Sequence, residues 1–173
     1  MHKKIVITGG LGYIGTELCK IYSGVSWNNE ILVIDNRFVS ERVNQLRNWD
    51  IDFIHGDILD KDLVNKYCKD ADIVHHLAGI TDVPRLKSES SEDKDAKIKL
   101  VAEKGTQNIL NAINDKCKII FPSTHVVYEG IEKIKNDILE DEYTKPILSY
   151  ASSKAINEKQ LKNSGKNYII LRL

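Results

Sequence analysis

The chain predicts an α/β fold, a doubly wound parallel sheet with helices on both faces. Three observations carry that expectation. Short apolar runs alternate with longer amphipathic stretches along the whole length. The first run opens directly into a glycine-rich turn, Thr8-Gly9-Gly10-Leu11-Gly12-Tyr13-Ile14-Gly15. An acidic residue, Asp35, then ends the second run twenty positions after Gly15. At 173 residues the chain holds one sizeable core and is too short for two ordinary domains, so residues 1–173 are expected to form one domain.

Taken in order, strands are expected near Lys4–Thr8, Glu30–Asp35, Asp52–His55, Ile73–His76, Lys118–Pro122 and Tyr168–Leu173. Helical patterns fill the intervals at about Gly12–Tyr22, Glu41–Asn48, Lys61–Cys68, Asp95–Asn114 and Tyr150–Asn163. Strict alternation of this kind gives a parallel sheet covered on both sides. Two long connections interrupt it, Thr81–Lys94 and Tyr128–Ser149, and loops of that length are often functional. The polar run Ser88-Glu89-Ser90-Ser91-Glu92-Asp93-Lys94-Asp95 reads as a solvated surface loop.

Twenty-five basic and twenty-five acidic residues cancel, so no global field recruits nucleic acid or an anionic membrane, and a small-molecule partner fits better. Cys19, Cys68 and Cys117 are odd in number and widely spaced, which excludes a disulfide framework or a Cys-rich metal site and suggests a reducing, cytoplasmic setting. Met1-His2-Lys3-Lys4 leads straight into Ile5-Val6-Ile7, with neither a secretory leader nor a membrane-length run. His75 and His76 end a strand with no carboxylate or cysteine at ligand spacing, so no metal is assigned.

Strand, glycine turn and helix in direct succession form the context that a dinucleotide site requires. Gly9 permits the tight turn, Gly12 lets the backbone approach a pyrophosphate, and Gly15 allows close packing of helix on strand. Tyr13 and Ile14 contribute amides at the helix N-terminus, where phosphate is favoured. Asp35 is placed to accept hydrogen bonds from the adenosine ribose and to repel a 2′-phosphate, so NAD is favoured over NADP, with Arg37 close by as the one contrary sign. Tyr150 and Lys154, in Tyr-Ala-Ser-Ser-Lys, stand four apart and share a helix face. An ammonium there is expected to lower the phenol pKa and let it move protons near neutral pH.

These landmarks, together with Gly56-Asp57-Ile58 after the third strand, His76-Leu77-Ala78-Gly79 after the fourth and Ser123-Thr124 after the fifth, resemble the extended short-chain dehydrogenase/reductase family. The likeness is to its NAD-dependent epimerases and dehydratases of the UDP-glucose 4-epimerase type, and it spans essentially the whole chain as their N-terminal, Rossmann-fold part. It implies that Asp57 and Ile58 bind the adenine, and that Leu77, Ala78 and Gly79 line the path to the nicotinamide. Tyr150 would be the acid/base, Lys154 would tune it and hold the nicotinamide ribose, and Ser123 and Thr124 would complete the catalytic set, Thr124 positioning the substrate oxygen. The implied reaction moves a hydride between a sugar carbinol carbon and nicotinamide, on a nucleotide-sugar substrate. A reductase of a non-sugar carbonyl and a catalytically weak NAD-binding module are the alternatives.

Departures narrow the expectation. His125 and Val126 follow Thr124 where the family's 4,6-dehydratases carry carboxylates, so dehydration is disfavoured. Ala102 stands where the family usually has Asn, and Glu129 breaks the usual Val-Tyr-Gly; both speak against full activity. Family members continue past the Ile-Leu-Arg-Leu strand into a substrate-binding region, which is expected to be absent here. Arg85 and Lys87 are weak candidates for a substrate diphosphate. The resemblance further implies a homodimer built from the helix around Gly105-Thr106 and the Tyr150 helix, unless Ile98, Val101, Ile109 and Ile113 face the sheet instead.

Overall fold

The computed structural model describes residues 2–25, 29–81, 91–132 and 136–173; Arg85 and Lys87 lie outside them. In chain order the elements are β1 (Lys4–Thr8), α1 (Tyr13–Ser23), β2 (Glu30–Asp35), α2 (Ser40–Asn48), β3 (Asp52–His55), α3 (Lys61–Cys68), β4 (Ile73–His76), α4 (Glu92–Leu100), a π-helical segment (Val101–Gly105), α5 (Thr106–Ala112), β5 (Lys118–Ser123), a 3₁₀ turn (His125–Tyr128), α6 (Ser149–Asn163) and β6 (Asn167–Arg172). All strand pairs are parallel, in the order β3-β2-β1-β4-β5-β6.

The inner strands β1, β2, β4 and β5 are largely apolar runs because the sheet is covered on both faces there, while the edge strands β3 and β6 stay partly exposed. With side chains alternating along each strand, Ile5, Ile7 and Val33 pack with Leu11, Cys19, Val43 and Leu46 beneath α1 and α2. Val6, Leu32, Ile34, Val74, Ile119 and Phe121 face the other way, against Val64 of α3, Ile109 of α5 and Leu161 of α6. Strand order reverses between β1 and β4, and the loops leaving their carboxyl ends flank the crevice where open α/β sheets bind ligands.

Two expectations are corrected. The polar run is not loop throughout: α4 begins at Glu92, because the Ser91 hydroxyl accepts the Lys94 N–H at 3.4 Å and Glu92, Asp93 and Asp95 place negative charge on the helix's positive end. The single helix expected over Asp95–Asn114 is interrupted at Val101–Gly105, where the Ala102 carbonyl accepts a hydrogen bond from Asn157 Nδ2 of α6 at 2.8 Å. Ile109 and Ile113 are buried in the core with Val101 packed on it, and Ile98 of α4 is buried. None of the described helices is long and apolar enough to cross a membrane.

Candidate dinucleotide and acid–base site

Gly9 is required twice over. Its φ is +71°, and a Cβ there would stand 2.7 Å from the Ala78 nitrogen, so the turn after β1 touches the loop after β4 through bare backbone. Gly10, which the sequence reading passed over, is needed as well: a Cβ would lie 2.5 Å from Val33 Cγ1. Gly15 faces Gly10 so closely that a Cβ would be 2.6 Å from its Cα, bringing α1 hard against the turn rather than against the strand alone. Gly12 donates to the Gly9 carbonyl at 3.0 Å and leads into α1, which has no side-chain cap and no acidic residue in its first turn. Tyr13 is 82 % exposed and Ile14 50 %, leaving this helix end open to an anion.

Asp35 is buried at the floor of the turn, its carboxylate accepting the Leu11 and Arg37 N–H groups, each at 2.9 Å, and Arg37 Nε at 3.4 Å. Arg42 donates from its guanidinium to the Leu11 carbonyl. Asp57 accepts Asn36 Nδ2 and the Leu59 N–H, both at 2.9 Å, which links the loop after β3 to the end of β2. Ile58 is a core side chain packed against Gly105, so any contact it offers a ligand is through its backbone. Leu77 donates its N–H to the Thr8 carbonyl at 3.0 Å, Ala78 donates to Thr8 Oγ1 at 3.3 Å, and a Cβ on Gly79 would meet nothing within 4 Å.

Behind this loop runs a buried polar chain that the sequence reading did not find. His76 bonds Thr8 Oγ1 at 3.0 Å through Nδ1 and Thr106 Oγ1 at 2.8 Å through Nε2, and Asn157 Nδ2 donates to Thr106 Oγ1 at 2.8 Å. Burial, and secondarily the charge of Lys154, push His76 down to about 3, so the ring is neutral. Thr8 and His76 end neighbouring strands, and only the pairing of β1 with β4 reveals them as partners.

Lys154 is buried on α6, its ammonium donating to the Pro122 carbonyl at 2.9 Å and lying 4.6 Å from the centre of the Phe121 ring. Burial pushes it down to about 8. Its Nζ is 5.9 Å from the centre of the Tyr150 ring, so the two side chains do share a face. The expected lowering of Tyr150 by Lys154 does not follow. Burial raises the phenol above its ordinary value, and the neighbouring ammonium, which donates to Pro122, does not offset it. Thr124 is buried and its Oγ1 accepts the Val126 N–H at 3.3 Å, capping the 3₁₀ turn while leaving its proton to donate. Ser123 donates its hydroxyl to Glu158 at 2.6 Å. His125 bonds the Leu173 carbonyl at 2.8 Å through Nδ1.

The glycine turn, its seating on Ala78 and the open N-terminus of α1 form a cradle that side chains would fill, which fits a dinucleotide. Among the described residues no cluster of His, Cys, Asp or Glu is arranged to hold a metal ion.

Comparison with known proteins gives the same picture. The chain is 33 % identical over 153 residues to CDP-paratose 2-epimerase of Salmonella typhi, a match covering 82 % of this chain and 42 % of that protein. It is 31 % identical over 163 residues to a UDP-N-acetyl-alpha-D-glucosaminuronate decarboxylase of Bacillus cytotoxicus, covering 91 % and 49 % respectively. Among solved structures, UDP-glucose 4-epimerase of Brucella ovis in complex with NAD superposes with a TM-score of 0.77 at 30 % identity, over 98 % of this chain and 51 % of that one. The chain thus spans about half the length of the curated relatives it matches. The model of the 3-beta hydroxysteroid dehydrogenase/isomerase family matches residues 6–170, and the chain belongs to that family, among the extended short-chain dehydrogenases/reductases whose motifs it carries in order.

Proposed function

We propose that residues 1–173 form one domain, the cofactor-binding and catalytic part of an NAD-dependent nucleotide-sugar epimerase or related oxidoreductase. The observation that carries this reading is the glycine turn seated on Ala78, with Tyr150 and Lys154 on one face of α6. The nucleotide-sugar enzymes among its relatives support the substrate class.

In this reading Gly12 lets the backbone approach the pyrophosphate, the amides of Tyr13 and Ile14 hold it, and Asp35 takes the adenosine ribose once Arg37 turns aside; Arg37 is 59 % exposed and free to do so. Asp57 and the Ile58 backbone border the adenine, and Leu77, Ala78 and Gly79 give it a backbone-lined path towards α6. When bound, NAD supplies the hydride acceptor for the sugar carbon and a positive charge beside the phenol. Tyr150 removes the hydroxyl proton as that carbon is oxidised and returns it on reduction. Thr124 donates to the substrate oxygen and keeps it in line with Tyr150. Lys154 holds the nicotinamide ribose, and the positive charge that the bound cofactor adds beside the phenol counters the burial that keeps Tyr150 protonated. Ser123 acts indirectly, through Glu158.

Tyr150→Phe tests the assignment: NAD affinity stays, and hydride transfer to a nucleotide-sugar falls by about 10²- to 10⁴-fold. Unchanged transfer removes Tyr150 from the chemistry, and no NAD binding by the parent overturns the reading as a whole. A second reading, an NAD-binding module with little turnover, is favoured by the burial that raises Tyr150. It predicts binding without transfer in parent and variant alike. We further propose a cytoplasmic location, on the three unpaired cysteines, and a homodimer, on the family resemblance, formed by faces of the two helices other than those of Val101, Ile109 and Ile113, which pack on the chain's own core. Sedimentation tests the dimer, with a persistent monomer counting against it.

A further inference from the structure

We propose that Glu129 is a positioning residue for Tyr150: its carboxylate clasps the segment entering α6 to the turn after β5 and so sets Tyr150 against Thr124. The proposal rests on the acid–base reading above and concerns a residue that the sequence reading counted only as a departure from the family pattern.

Glu129 Oε1 accepts two backbone N–H groups, from Ile147 at 2.5 Å and from Leu148 at 2.6 Å. Two backbone bonds run alongside, Lys145 N–H to the Val127 carbonyl at 3.0 Å and Gly130 N–H to the Lys145 carbonyl at 2.9 Å. A Cβ on Gly130 would fall 2.4 Å from the Lys145 oxygen, so the two segments meet backbone to backbone. Residues 145–148 are thus fastened to 127–130 by four hydrogen bonds, two of them made by one side chain.

Each end of the clasp leads to a residue of the proposed chemistry. On one side the 3₁₀ turn begins at Thr124, whose hydroxyl caps it. On the other, Leu148 is the residue preceding α6, and Tyr150 lies two positions further on. Leu148 offers no side-chain cap, so the start of α6 is held from outside. An ionised acceptor makes shorter, stronger bonds to N–H than a neutral one, and a negative charge beside a helix N-terminus is favourable. A glycine at this position would leave both amides to water and let the first turn of α6 shift relative to β5.

The test uses Glu129→Ala and Glu129→Gln in the full chain, with NAD and a panel of UDP-, CDP- and dTDP-hexoses as probes. In Glu129→Ala, amide exchange at 147 and 148 accelerates about tenfold or more, and the acceleration carries into residues 149–151 while the sheet stays protected. The NAD Kd stays within about twofold. At unchanged KM, kcat falls about ten- to a hundredfold, the loss expected of a misplaced reacting group. Glu129→Gln keeps an acceptor oxygen and recovers most of kcat. Parental exchange at 149–151 in Glu129→Ala overturns the proposal. So does a loss of kcat matched by a loss of NAD affinity, with Gln no better than Ala. If the parent binds NAD and converts no sugar, the acid–base reading fails, and exchange at 149–151 alone decides whether Glu129 sets Tyr150.

Discussion

Arg172 grips the Glu158 carboxylate with both prongs, Nε on Oε1 at 2.9 Å and Nη2 on Oε2 at 2.6 Å, with the two side chains only 11 % and 4 % exposed. The same guanidinium reaches the Tyr128 hydroxyl and, at 2.9 Å, the Glu140 carbonyl, while Ser123 completes the carboxylate from β5. Strand β6, helix α6 and the loop before it are therefore tied at one buried charge pair. Burial raises the Glu158 carboxyl, but the hydrogen bonds from Arg172 and Ser123 outweigh it and hold the group below its usual range.

Removing one partner strands the other charge, so Arg172→Met is expected to cost about 3–5 kcal/mol in urea unfolding, and the double variant Glu158→Leu with Arg172→Met distinctly less. The sign with pH follows from the lowered carboxyl. Its contribution is complete above the unfolded value of about 4.3 and disappears as pH falls through the lower folded value. Glu158→Gln lacks that part of the acid limb. A double-variant cost equal to the sum of the two single costs would show that the pair is not an energetic unit.

His75 and His76 set the pH response at milder acidity. Burial pushes them down to about 4 and about 3, and His75 also bonds the Tyr22 hydroxyl at 2.8 Å. Below the unfolded value of about 6.5 the unfolded chain takes up protons that the fold refuses, so stability is full above that pH and falls as pH drops, by about 1.4 kcal/mol per unit for each ring. Denaturation between pH 7 and 5 measures the slope, and imidazole C2–H shifts show both rings neutral in the folded protein at pH 5. A flat stability profile would mean that one or both rings ionise in place.

Much of this architecture was legible in the residues. Strands β1, β2 and β4 coincide with their apolar runs, because a strand buried on both faces is apolar nearly throughout, and the edge strand β3 keeps only Phe53 and Ile54 partly buried. Gly9 and Gly15 were readable because a turn and a close helix approach each demand glycine. What escaped were relationships between residues distant in sequence. Asn157 reaches the Ala102 carbonyl fifty-five positions away and Glu129 holds amides eighteen and nineteen positions on, and no periodicity encodes either. The Tyr150–Lys154 spacing correctly implied a shared face, but spacing carries no information about burial, and burial decides the direction in which both groups shift.

That burial makes Lys154 a place where function opposes stability. A lysine pushed down to about 8 is, at neutral pH, a charged group held in a site that disfavours its charge, with the Pro122 carbonyl and the Phe121 ring as its partners. Lys154→Met keeps the length and apolar stem and removes the charge, so it is expected to unfold at a higher temperature than the parent while losing hydride transfer and weakening NAD binding. The unfolded lysine retains a pKa near 10.4, so the destabilisation in the parent is constant at neutral pH and relaxes as pH rises through 8 towards that value. The gap in melting temperature between parent and Lys154→Met should narrow over that interval. A variant less stable than the parent at pH 7 would show that the Pro122 hydrogen bond and the aromatic contact more than repay the desolvation, and that Lys154 supports the fold as well as the site.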